Sequence, residues 1–195
     1  MAHVYKIVFA GPVGSGKTTA IQTLSDIEVV RTEARASDEV ARLKPTTTVA
    51  MDYGLMRLGN GDSVRLYGTP GQKRFDFMWE ILTENALGLV LLIDASASDP
   101  LADLTTYLGE FRDFIDRTAV VVGVTHTDGG GWNVRGELIA RMQQLGIAPC
   151  VMETDARQRP DMAMLVKSLI YSIDPFAGAQ RGTESTVTPH KGERP

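Results

Sequence analysis

Gly11-Pro12-Val13-Gly14-Ser15-Gly16-Lys17-Thr18 has the spacing G-x-x-x-x-G-K-[ST], directly after an apolar run at 4–10 and before a helical stretch. Glycines at those positions let successive backbone N–H groups turn inward around a phosphate, and a helix that starts there adds positive potential. Lys17 would reach the β and γ oxygens of a nucleotide. The Thr18 hydroxyl would sit on the Mg²⁺ bridging them, and Thr19 is counted with the cradle. Val13 would narrow the space beside the γ-phosphate.

A phosphate cradle does not choose a base, so the choice falls to two later stretches. Thr125-His126-Thr127-Asp128 follows an apolar strand, where loops at the carboxyl edge of a parallel sheet converge on ligand. The Asp128 carboxylate can accept from both N1–H and the 2-amino group of guanine. Adenine has neither donor and would leave a buried charge unpaired. Glu153-Thr154-Asp155-Ala156 can offer the Ala156 N–H to guanine O6, where adenine carries a donor. GTP and GDP, with Mg²⁺, are therefore the expected ligands.

The elements that must position these residues follow from the pattern of the chain. Its 195 residues suit one domain, and 43% hydrophobic with 23% charged residues describes a chain that folds. A net charge of −4 gives nucleic acid no electrostatic reason to bind. Strands are expected over 4–10, 49–58, 63–67, 88–94, 119–125 and 147–152. Helices are expected over 17–24, 75–83, 100–116, 133–145 and 160–172. The predicted fold class is α/β: a P-loop NTPase fold with a six-stranded, mostly parallel sheet, one antiparallel edge strand and helices on both faces. Gly59-Asn60-Gly61-Asp62 makes strands two and three a hairpin, because Asn-Gly supplies positive φ angles. The polar segment 31–44 reads as a long functional loop. Residues 1–174 form the expected domain and 175–195 a disordered tail.

The lone Cys150 lies in an apolar stretch and reads as a small buried hydrophobe rather than a nucleophile. A single cysteine points to a reducing compartment, and no run is long and apolar enough to span a membrane. Ala2 stands where myristoylation needs a glycine, and the C-terminus has no prenylation cysteine. The expectation is a cytoplasmic protein with no direct membrane anchor.

Over roughly 4–174 the chain resembles the Ras-like small GTPases. Residues 125–128 are similar to the [NT]-K-x-D guanine motif and 153–156 to the E-T-S-A loop. Thr48-Val49-Ala50-Met51-Asp52-Tyr53 resembles a switch I sequence, and Gly68-Thr69-Pro70-Gly71-Gln72 resembles the D-T-A-G-Q of switch II. The Thr-Pro-Gly-Gln form looks most like bacterial small GTPases of the gliding-polarity (Mgl) and conservon type. The resemblance implies a bacterial signalling switch, slow hydrolysis of GTP, and a roadblock-type activating or scaffold partner. It does not settle oligomeric state.

The resemblance implies that Gln72 orients the attacking water, and that Thr48 joins Thr18 as a Mg²⁺ ligand, with Thr46 and Thr47 as alternatives. Gly71 would bring its N–H to the γ-phosphate. Two departures matter. His126 replaces a lysine whose stem covers the base, and Gly68 replaces an aspartate that holds a Mg²⁺-bound water. Asp52 and Asp94 compete for that vacated role; Asp94 reads as a local loop contact and Asp52 as an exposed strand carboxylate or a substitute. No arginine marks a finger position, although Arg31, Arg35, Arg42 and Arg74 lie near the switches; such a finger typically adds about 10³ to 10⁵ in rate. An ATP-dependent kinase or ATPase, and a nucleotide-binding scaffold with little hydrolysis, are the competing functions.

Overall fold

The computed structural model describes residues 2–35, 48–70, 77–129 and 134–173. Gly71, Gln72, Thr46, Thr47, Arg42, Arg74 and the expected tail lie outside the described residues. The strands are β1 (Val4–Ala10), β2 (Val30–Arg35), β3 (Thr48–Arg57), β4 (Ser63–Gly68), β5 (Gly88–Asp94), β6 (Val120–Thr125) and β7 (Val151–Glu153). The helices are α1 (Lys17–Leu24), α2 (Phe77–Thr83), α3 (Pro100–Glu110), α4 (Arg112–Ile115), α5 (Val134–Gln144) and α6 (Arg159–Ile173).

The strands form one sheet in the order β2-β3-β4-β1-β5-β6-β7. β1 pairs in parallel with both β4 and β5, and the parallel ladder continues through β6 to β7. Period-two alternation splits the buried strand residues into two cores. Val8, Leu89, Leu91, Ile93 and Val122 pack on the side of α2, α3 and α5; Ile7, Phe9, Val90, Leu92 and Val121 pack on the side of α1 and α6. This is the expected α/β fold with both faces covered, and it places the carboxyl ends of β1, β5 and β6 along one edge.

Five details differ from the sequence reading. The sheet has seven strands rather than six, because Val30–Arg35 adds antiparallel to β3 and becomes the edge. An edge strand gains its ladder from one neighbour and carries polar residues without penalty, so its sequence has no apolar run to reveal it. β3, expected as the antiparallel edge, lies inside it and is antiparallel to both neighbours. β7 is shortened to Val151–Glu153, since Pro149 has no N–H for a ladder. The helix expected over 100–116 breaks at Phe111 (φ −95°, ψ 13°) into α3 and α4. In the hairpin turn only Gly61 has positive φ, at 87°; Asn60 instead braces the Asp62 carboxylate through its side-chain amide at 2.7 Å.

Candidate nucleotide site

The loop from β1 to α1 requires glycine at two positions for physical reasons. Gly11 has φ 141°, and a Cβ there would lie 2.2 Å from the Leu92 carbonyl oxygen. Gly16 has φ 93°, and a Cβ there would lie 3.1 Å from Cβ of Ala156, so the loop after β7 packs against the phosphate loop. Gly16 opens α1 without any side-chain cap, and the first turn carries no acidic residue. The N-terminal N–H groups of α1 are thus left to an anion.

Lys17 is 9% exposed. Its ammonium donates to the carbonyls of Gly11 at 2.7 Å and Pro12 at 2.6 Å. Burial pushes its pKa down to about 8, with the nearby Asp52 charge acting the other way. Val13 projects outward, 70% exposed. Ser15 is fully buried, and among the described residues its hydroxyl has no hydrogen-bond partner.

The Thr18 hydroxyl donates to the Asp52 carboxylate. Asp52 is the Cα partner of Gly68 in the β3–β4 ladder. A Cβ on Gly68 would meet Asp52 Cβ at 3.2 Å, its Oδ2 at 3.5 Å, and Ile21 Cδ1 at 2.9 Å. The carboxylate thus lies where a Gly68 side chain would reach. Asp94 has the local role expected of it: its Oδ1 accepts from Ser96 N at 2.8 Å and Ser96 Oγ at 2.6 Å. Among the described residues no group of three or more His, Cys, Asp or Glu side chains is gathered for a metal. The Thr18–Asp52 pair nevertheless offers the hydroxyl and carboxylate oxygens that Mg²⁺ accepts alongside water and phosphate. Thr48 begins β3, opposite Arg35.

Across the cleft, the Thr125 hydroxyl lies 3.2 Å from the Ser15 carbonyl and 3.3 Å from that of Ile93, tying the end of β6 to the phosphate loop. His126 has φ 55°, and its Nδ1 lies 3.2 Å from Asp94 Oδ1. Asp128 is exposed on the 3₁₀ turn Thr127–Gly129. After β7, Asp155 N donates to Asp161 Oδ2 at 2.9 Å. The Asp155 carboxylate receives Arg157 as a two-pronged fork, Nε on Oδ1 and Nη2 on Oδ2, each at 2.9 Å. Hydrogen bonds from Arg157 hold the Asp155 carboxyl below the usual carboxylate range.

Gly16, Thr19, His126, Asp128, Ala156 and Arg157 line one cleft of about 390 Å³. Gly16 and Thr19, at the phosphate-loop end of α1, therefore line the same cleft as the residues expected to read a base, while Lys17 and Thr18 lie outside its lining. A larger cavity, about 840 Å³, lies between Trp79 and Phe114 and contains none of them. Arg157 is not identifiable from the sequence; the one signal is its place directly after Ala156. Cys150 is half-buried and burial pushes its thiol up, which disfavours the nucleophilic thiolate. Among the described residues no helix is long and apolar enough to cross a membrane.

A family model described as "Conserved hypothetical ATP binding protein" matches residues 25–169, beginning after the phosphate loop. An uncharacterized protein of Methanocaldococcus jannaschii is 32% identical over 91 residues, covering 47% of this chain and 51% of that protein. The intraflagellar transport protein 22 homolog of Bos taurus is 22% identical over 178 residues, 86% of this chain and 91% of the relative. The GTP-binding protein ypt4 of Schizosaccharomyces pombe is 26% identical over 127 residues, 62% of this chain and 49% of the relative. The chain thus spans about half the length of the first and third of these relatives. Among solved structures, the bacterial selenocysteine-specific elongation factor superposes with a TM-score of 0.61 at 18% identity, over 89% of this chain and 30% of the other.

Proposed function

The chain belongs to this family of conserved hypothetical ATP-binding proteins, and within that scaffold we propose, on the geometry of its own base loop, that it is a guanine-nucleotide switch that hydrolyses GTP slowly. The observation that carries the reading is the shared cleft, in which the Gly16–Ala156 packing joins the phosphate loop to the loop beside Asp128. Similarity to a GTP-binding relative supports it. The Thr69-Pro70-Gly71-Gln72 sequence, with Gly68 in place of a leading aspartate, supports the resemblance to the bacterial gliding-polarity branch.

Lys17 would exchange its two backbone carbonyls for the β and γ oxygens, gaining a charged partner. Thr18, Asp52 and Thr48 would hold Mg²⁺ directly or through water. An ion held by these residues would supply charge neutralisation on the β- and γ-phosphates. Asp128 and the Ala156 N–H would read the base. His126, drawn to Asp94, leaves the covering of the base to Arg157, whose guanidinium Asp155 holds in one orientation. Gln72 would orient the attacking water, while Thr48 and Gly71 would sense the γ-phosphate, so that its loss releases both switch segments. A roadblock-type protein on the switch surface is the proposed partner, and the proposed compartment is the cytoplasm.

The family's description favours a second reading, an ATP-binding protein on the same scaffold. Nucleotide extracted from the purified protein separates the two: guanine nucleotide supports the switch, and adenine nucleotide overturns it. Within the switch reading, Gln72→Ala is expected to slow single-turnover GTP hydrolysis by about 10²-fold while GDP affinity holds, as for loss of a group that positions the attacking water. An unchanged rate in a quenched-flow assay removes Gln72 from the mechanism.

A further inference from the structure

Arg159, the first residue of α6, sits at the end of a set of contacts that the proposed mechanism does not use. Its Nη1 donates to the carbonyls of Thr23 at 3.1 Å and Leu24 at 2.9 Å, and its Nη2 donates to Asp26 Oδ1 at 2.8 Å. Thr23 and Leu24 end α1, whose last turn has no basic residue of its own. The last carbonyls of a helix lack intrahelical donors and carry negative potential, so a guanidinium from elsewhere meets two of them at once. Asp26 extends the set. Its Oδ2 accepts from Arg57 N at 2.6 Å, and its own N–H donates to the Leu55 carbonyl at 2.7 Å. Both acceptor and donor belong to the end of β3, the strand that begins at Thr48 and carries Asp52.

The other end of the set reaches the base loop. Asp161, in the same first turn of α6, accepts from Asp155 N at 2.9 Å. One turn of α6 therefore holds the loop of Asp155, Ala156 and Arg157 while gripping the far end of α1. The near end of α1 carries Gly16, Lys17 and Thr18. An α-helix is a rigid spacer, so fixing its far end fixes the angle at which its near end meets the base loop.

We propose that Arg159 is a positioning residue that sets the base loop against the phosphate helix, and so controls how long nucleotide is retained. The inference rests on the guanine-nucleotide reading. The pair with Asp26 is partly exposed, with side chains 48% and 28% accessible. Such pairs contribute little to stability as isolated contacts. The function of this one is geometric: it joins three elements that each carry ligand-binding groups. Hydrogen bonds from Arg57 and Arg159 hold the Asp26 carboxyl below the usual range, so the pair remains charged at neutral pH.

The test follows release of fluorescent GDP from the full chain in the presence of Mg²⁺, alongside the thermal midpoint without nucleotide. Arg159→Gln is expected to speed release about tenfold with the nucleotide-free midpoint nearly unchanged. Arg159→Lys should recover part of the retention, because an ammonium can meet the same carbonyls without the fork. Asp26→Asn should speed release in the same sense and add little in the double variant, the signature of groups acting as a unit. Release at the wild-type rate in Arg159→Gln overturns the inference and leaves the nucleotide reading intact. So does faster release accompanied by a proportionate fall in midpoint, or fully additive effects. A wild-type chain that retains no labelled GDP overturns the reading and the inference with it.

Discussion

Replacing Lys17 by methionine is expected to weaken nucleotide binding by about 10³-fold and, in the nucleotide-free protein, to raise stability. Both effects have one cause. The ammonium is held in a nearly closed position with the Gly11 and Pro12 carbonyls as its hydrogen-bond partners among the described residues, and burial draws its pKa from 10.5 down to about 8. A base whose folded pKa is lowered binds fewer protons folded than unfolded between those two values. Stability of the empty protein should therefore rise as pH goes from about 8 to about 10.5, and carry the full penalty below 8. At about 1.4 kcal/mol per unit that penalty is of order 3 kcal/mol. Methionine removes it but leaves two carbonyls without a donor, at about 1 kcal/mol each, so a net gain of about 1 kcal/mol is expected. A bound phosphate reverses the balance, because it gives the ammonium a charged partner in a low-dielectric setting. Calorimetric titration and thermal unfolding from pH 7 to 10 check both halves. Undiminished affinity in the variant would take Lys17 out of the site.

The second large effect is expected at Asp52. Asp52→Asn should leave GDP affinity in excess EDTA within about twofold of the parent but remove most of the increase in retention that Mg²⁺ confers, a loss of about 10²-fold. Asp52 is partly buried, and a hydrogen bond to a charged group is commonly worth about 1.5 to 3 kcal/mol, about one to two powers of ten. The site's geometry also specifies the rescue. Asp52 stands opposite Gly68 and fills the space into which a side chain there would extend. Gly68→Asp alone brings two carboxylates together and should impair binding. Gly68→Asp combined with Asp52→Ala frees that space and should restore part of the Mg²⁺ dependence, provided Ile21 Cδ1 yields the few tenths of an ångström that the new Cβ requires. Stopped-flow release of GDP at graded Mg²⁺ reads all four proteins. Mg²⁺ dependence that survives intact in Asp52→Asn would place the ion on other ligands.

The phosphate loop is legible in the sequence because its chemistry is local: glycine spacing, Lys17 and Thr18 fall within one short stretch of chain, and nothing distant alters what they can do. The central strands are legible for the opposite reason. β1, β5 and β6 are buried in the middle of the sheet and read as largely apolar runs. β2 has no such signal, since an edge strand is stabilised by backbone pairing that its composition does not report. Asp52 shows where local reading stops. On β3 it is one carboxylate in an alternating strand, and only the antiparallel register that sets it opposite Gly68 brings it to Thr18. Arg157 and Arg159 are similar cases: their partners, Asp155 two residues back and Asp26 across the molecule, become meaningful only when the loop after β7 lies against α1. His126 stands out in the sequence as a departure, but its capture by Asp94 depends on β5 and β6 ending side by side.

The central claim is that Asp128 and the Ala156 N–H select guanine within a cleft shared with the phosphate loop. Equilibrium titration of the nucleotide-free protein with fluorescent GDP and ADP in Mg²⁺ buffer tests it directly. GDP is expected to bind at least about 10²-fold more tightly, because a site built to pair polar groups rejects the base that lacks them. Equal affinities, or a preference for ADP, would contradict it.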